Sequence, residues 1–174
     1  VISEISPIEA GWWEAMNRLS NMYLMVITTS FTVYYMPRLS ELSDKYELRR
    51  EIFKAYKLIV PILIVGFALI YLFRHLIIRI LFSPEFLPME NLFIWQLIGD
   101  FFKICSWLLA YIMIAKAMTK KFVATELSFT MIYIALGFVF IKWNGVVGIV
   151  QAYLLNYILY MSYMLFAFKN ILRK

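Results

Sequence analysis

The feature that most narrows the fold is a succession of five apolar runs, each close to bilayer-spanning length, separated by short polar breaks. A spanning helix needs about 20 apolar residues, rising 1.5 Å each, to cover a hydrocarbon core about 30 Å thick. No water reaches backbone N–H and C=O groups inside that core. Such runs therefore close their hydrogen bonds internally, as α-helices. The composition agrees, with 63% hydrophobic residues, 16% charged residues and a mean hydropathy of +0.77. Soluble domains are about half apolar and about a quarter charged. Here 174 residues have too few polar side chains to coat a water-facing surface. The expected fold class is all-α integral membrane, with residues 1–174 as a single membrane domain.

The expected transmembrane helices cover about 11–36, 57–73, 91–116, 122–141 and 146–168. The first opens on Trp12 and Trp13, whose amphipathic rings favour the membrane interface, and ends at Pro37. The second has Pro61 near its start, where a missing N–H costs little, and closes at Arg74 and His75. Gly145 and Gly148 mark a tight turn between the last two. Residues 38–54 place Leu39, Leu42, Tyr46, Leu48 and Phe53 at roughly helical spacing among charges. That pattern favours a short amphipathic helix on the inner leaflet over a solvated linker.

The formal charge of +6 is distributed as membrane topology distributes it. Arg38, Lys45, Arg49, Arg50, Lys54, Lys57, Lys116, Lys120, Lys121, Lys169, Arg173 and Lys174 fall in one set of breaks. The alternate breaks hold only Arg74, Arg79 and Lys142, and the N-terminal segment carries Glu4 and Glu9. The positive-inside rule then puts the C-terminal tail in the cytoplasm and Val1 outside. With no separate basic domain, nucleic acid is not an expected partner. The chain starts at Val1 without the features of a signal peptide, and is expected to be a piece of something longer. Cys105 stands alone in an apolar run, so no intrachain disulfide forms. His75 has no clustered ligands, and neither a metal site nor a cofactor is expected.

Function in such a chain is sought in polar residues that lipid-facing helices avoid. In the first helix Glu14, Arg18, Asn21, Thr28 and Thr32 recur in steps that share a face, broadened by Asn17 and Ser20. This face must meet other helices or water. Arg18 is either a substrate contact or a side chain snorkelling to the outer interface, and Glu14 one turn away is its natural pair. In the third helix Gln96, Asp100 and Lys103 share a face near mid-membrane. A charge there costs at least about 2.5–3.5 kcal/mol. A hydrated cavity lining is favoured over a structural Asp100–Lys103 pair. Glu126 lies near Lys120 and Lys121, which favours an interface pair. Gln151, Asn156 and Ser162 are of the kind that stitches helices together. No Gly-rich phosphate loop, nucleophile elbow or zinc pair is present, so the chain is not expected to be an enzyme.

The stretches GWWEAMNRLSN (Gly11 to Asn21), YYMPRLSEL (Tyr34 to Leu42) and WQLIGDFFKICSW (Trp95 to Trp107) resemble the later helices of O-antigen and enterobacterial common antigen flippases. The likeness is to the lipid III flippase type in particular, within the multidrug/oligosaccharidyl-lipid/polysaccharide exporter superfamily. It extends over essentially the whole chain. The resemblance implies twelve helices in two six-helix bundles, of which this chain matches most of the second. It also implies an inner-membrane transporter that moves an undecaprenyl-diphosphate-linked glycan from the cytoplasmic to the periplasmic leaflet, used in lipopolysaccharide or common-antigen biosynthesis. Its partners would be that glycan, membrane lipid, and polysaccharide polymerase and chain-length proteins. Arg18 and Lys103 would then attract the diphosphate, and Asn21, Gln96 and Thr28 would exchange hydrogen bonds with sugars, with Asp100 beside them. A membrane-embedded enzyme of lipid-linked glycan assembly, or another exporter of the superfamily, is the alternative.

Overall fold

A computed structural model describes residues 6–172. Glu4, Arg173 and Lys174, which entered the topology reading, lie outside them. Nearly every described residue is helical, and no strand occurs among them. Helix α1 (Pro7–Ser30) passes through a π-helical turn (Phe31–Tyr35) into α2 (Met36–Glu41). Then come α3 (Lys45–Leu72), α4 (Arg74–Leu81), a 3-10 turn (Pro84–Met89), α5 (Glu90–Ala115), α6 (Thr119–Ala167) and α7 (Lys169–Leu172).

Local chemistry sets these boundaries. The Ser6 hydroxyl accepts from the Glu9 N–H at 3.2 Å while the Glu9 carboxylate accepts from the Ser6 N–H at 3.0 Å, a reciprocal cap. Pro7 follows at the position where its missing N–H costs nothing. At the other end the Met36 N–H donates five residues back to Phe31 O. This widened turn lets the helix continue through Pro37 to Glu41 instead of ending there. Asp44 starts α3 by accepting from the Tyr46 and Glu47 N–H groups at 2.9 and 3.1 Å. The amphipathic stretch from Lys45 onward is therefore the first part of a 28-residue helix and not a separate surface segment. Pro61 consequently lies inside that helix, not near its start.

Among the described residues, three helical stretches are long and apolar enough to cross a membrane: Lys45–Leu72, Pro84–Ala115 and Thr119–Ala167. The last reverses at Asn144 (φ −131°, ψ 19°) and Gly145 (φ 55°, ψ −136°). Its arms, residues 119–143 and 146–167, pack antiparallel, with Phe129 against Tyr160 at 4.8 Å and Tyr133 against Tyr153 at 6.0 Å between ring centroids. The chain thus supplies four apolar rods, with α1 alongside as a fifth, less apolar because of its polar stripe. Tyr56 reaches Cys105 while Phe67 packs on Tyr23, near Asp100, so α3 runs opposite to α1 and α5.

Two clusters of buried apolar side chains fill the bundle. One, around Leu39, Ile52, Leu108 and Met164, occupies the end where α2, α3 and α7 meet α5. The other, around Met16, Ile78, Phe93 and Val150, occupies the end closed by α4 and the 3-10 turn. There the Trp12 Nε1–H donates to Glu85 O at 3.0 Å, and Glu90 binds His75 and lies 3.8 Å from Arg74. The alternating rods gather residues 38–57, 116–121 and 169 at the opposite end, where Lys116 donates to Leu42 O.

The hairpin depends on two glycines. Gly145 holds a positive φ that L side chains rarely adopt, and a Cβ on Gly148 would sit 2.0 Å from the Phe140 carbonyl oxygen. Gly145→Ala should cost about 1–3 kcal/mol of backbone strain. Gly148→Ala should cost more, because the clash is with backbone. Thermal unfolding midpoints of the full-length protein in detergent should fall in that order, with Gly137→Ala, where the added Cβ meets nothing within 4 Å, close to wild type.

Candidate functional site

The polar residues of the sequence reading separate into two groups. Glu14, Arg18 and Asn21 lie on the exposed side of α1, pointing away from the other helices. Arg18 Nε donates to Glu14 Oε1 at 2.9 Å, with the two side chains 73% and 54% exposed. Thr28 is half-buried and donates back to Leu24 O, and Tyr111 donates to Thr28 O at 3.4 Å. Thr32, one turn on, meets the Tyr111 hydroxyl at 3.1 Å.

The second group is sealed between three helices. Asp100 and Gln96 on α5 are 0% and 1% exposed. The Asp100 carboxylate accepts from Ser20 Oγ at 2.7 Å and from the Tyr23 hydroxyl, both on α1. It also accepts from the Tyr153 hydroxyl on the second arm of α6 at 2.6 Å. Gln96 Nε2 donates toward Ser20 Oγ at 3.3 Å and toward the carboxylate at 3.4 Å. In place of the expected cavity lining, these two residues form a buried, hydrogen-bonded three-helix junction. A carboxylate has lone pairs for several donors, and hydroxyls on two neighbouring helices fill them. Close approach makes this possible, since a Cβ on Gly99 would lie 2.6 Å from the Tyr153 ring.

Lys103, one turn beyond Asp100, turns toward the hairpin. Its Nζ stands 5.1 Å from the Trp107 ring centroid, 5.3 Å from that of Tyr153 and 5.2 Å from that of Tyr157. Cation–π contacts contribute about 0.5–1 kcal/mol at exposed sites and about 2 kcal/mol or more when desolvated. Among the described residues Lys103 forms no ion pair, with Asp100 or any other carboxylate. It lines a cavity of about 240 Å³ between α5 and the two arms of α6, together with Glu126, Thr130, Tyr133, Asn156 and Tyr157. Glu126 faces inward as well, accepting from the Tyr160 hydroxyl at 2.5 Å. Its partner is that phenol and not the Lys120–Lys121 edge.

Tyr23, Tyr153, Tyr157 and Tyr160 were not among the residues singled out from sequence. A signal was present: Tyr153, Asn156, Tyr157 and Tyr160 follow the i, i+3, i+4, i+7 spacing of one helix face. Tyrosine is common enough in membrane helices that the stripe passes for packing. Removing one Asp100 donor in Tyr153→Phe should destabilise the full-length protein by about 1–2 kcal/mol. The same change at exposed Tyr163 should be neutral, as read by thermal unfolding in detergent.

Comparison with known proteins places these residues in context. The chain is 36% identical over 159 residues to the lipid III flippase of Escherichia coli (strain K12), covering 88% of this chain and 37% of that protein. The lipid III flippase of Shigella flexneri matches with the same identity and coverage. No protein-family model matches, and no solved structure does. The chain spans 37%, well under half, of the length of these curated relatives. Across 88% of its own length, this multi-pass helical membrane chain is lipid III flippase-like.

Proposed function

We propose that the full-length protein carrying this chain is a non-enzymatic transporter that flips an undecaprenyl-diphosphate-linked oligosaccharide from the cytoplasmic to the periplasmic leaflet of the inner membrane. The chain contributes five transmembrane helices, most of one six-helix bundle. The observation that carries the reading is the 36% identity to lipid III flippases, sustained over 88% of the chain. The physical need is plain. Each glycan hydroxyl moved unpaired into hydrocarbon costs several kcal/mol, so the headgroup needs a polar route while the polyprenyl tail stays in lipid.

The exposed stripe of Glu14, Arg18, Asn21 and Thr32 on α1 supplies a polar face that the helices of this chain leave uncovered. Lys103 supplies a mid-depth cation. Gln96 and Asp100 act differently, by holding α1, α5 and α6 in register. The basic residues gathered around 38–57 and 116–121 support a cytoplasmic position for that end, with the N-terminal end of α1 and the Asn144 reversal toward the periplasm.

The full-length gene should restore surface glycan display in a flippase-null strain. Lys103→Ala should lower display at least tenfold with the protein still present in membranes by immunoblot. Normal display in that variant would remove Lys103 from the mechanism. For orientation, a cysteine at exposed Trp143 should react with impermeant maleimide on intact spheroplasts, and one at Lys120 only after permeabilisation. The reverse labelling would invert the topology.

A further inference from the structure

We propose that the cavity inside the α5–α6 hairpin is a binding site for one neutral sugar ring. The proposal deepens the flippase reading and rests on it. Its starting point is Asn156, 5% exposed, whose side-chain oxygen has no hydrogen-bond partner among the described residues. A buried acceptor left unpaired is costly, and Asn156 lines a cavity that could hold a donor. The cavity measures about 240 Å³, a little below the ~300 Å³ at which pockets for drug-sized ligands begin. It has room for a single ring and not for an extended glycan.

The chemistry of the walls selects the occupant. Lys103 presents a cation and Glu126 a carboxylate to the same space. A diphosphate drawn to Lys103 would meet the Glu126 charge, and a metal cation drawn to Glu126 would meet Lys103. At low dielectric such repulsions are large, so both kinds of ion are disfavoured. A neutral molecule carrying donors and acceptors together is favoured by both. Sugar hydroxyls supply donors for Asn156 and Glu126 and acceptors for Lys103. Most of the remaining wall is aromatic, with Phe129 and Tyr133 among its rings. The negative face of an aromatic ring accommodates the weakly positive C–H face of a pyranose. Lys103 lies roughly 20 Å along α5 from Glu90 at 1.5 Å per residue, which puts the ring at mid-bilayer depth. The diphosphate is left to cations outside this cavity.

The test uses the full-length protein in lipid nanodiscs, with glucose and N-acetylglucosamine as probes and saturation-transfer NMR as readout. Complementation of a flippase-null strain and membrane immunoblots run in parallel. Wild type should transfer saturation to the ring protons of at least one sugar. Asn156→Leu should lower that signal at least fivefold. Thr130→Phe should do the same by filling the cavity from its exposed rim, where folding is little disturbed. Met131→Phe, at a neighbouring exposed position outside the cavity, should bind as wild type. Absence of signal in wild type, or equal signals in wild type and Thr130→Phe, overturns the site and leaves it holding water alone. Wild type that binds sugar but fails to restore surface glycan sinks the flippase reading and leaves the pocket standing. Restored display without sugar contact does the opposite.

Discussion

A carboxylate sealed between apolar helices must be solvated by protein, and Asp100 is solvated by hydroxyls from two other helices. Between helices in lipid the hydrophobic effect does not discriminate, because acyl tails are as apolar as leucine. Apolar contacts alone would let α1 slide along α5 by a turn at little cost. The Asp100 cluster does not permit that slide. Ser20 and Tyr23 reach the carboxylate only at one height of α1, and Tyr153 only at one height of the second α6 arm. The cost of burying the group, at least about 2.5–3.5 kcal/mol on the lenient scale, is offset only in that register. Its worth therefore lies in specificity more than in net stability.

Tyrosine repeats the device elsewhere. The Tyr35 hydroxyl donates to Leu108 O at 3.1 Å and the Tyr56 hydroxyl to Cys105 O at 2.6 Å. These bonds tie the π-helical segment and α3 to consecutive turns of α5. A phenol suits this role because its ring packs as an apolar body while its single O–H reaches a backbone carbonyl. The result is a bundle whose centre, α5, is clamped from three sides. Two polar regions remain unclamped, the exposed α1 stripe and the hairpin cavity at Lys103. The proposed transport role rests on these two and not on the buried junction, since a group already saturated with donors has little left to offer a passing substrate.

The membrane class and the hairpin turn were legible in the residues because each is a local property. Apolar length marks a span whatever its neighbours are, and Gly145 is needed for its own φ. The extents of α2 and α3 were less legible. A π-turn that admits Pro37 depends on backbone hydrogen bonding five residues apart, and the Asp44 cap extends α3 across a charged stretch that reads as surface. At the site, the pairing of Glu14 with Arg18 was visible as an i, i+4 relation on one helix.

What the amino-acid sequence determines by itself is which positions are too polar for lipid and how they are spaced along each helix, because helical rise and periodicity are intrinsic to the backbone. It does not determine what each of them meets. Ser20 and Asn21 are adjacent, yet one is buried against Asp100 and the other exposed, since successive residues on a helix point about 100° apart. Likewise Asp100 and Lys103 share a helix but turn to different neighbours, one to α1 and the second α6 arm, the other into the hairpin cavity. Only the tertiary packing of α1, α5 and α6 decides that division. Hydrogen bonds between helices depend on their relative rotation and height, which no single helix encodes.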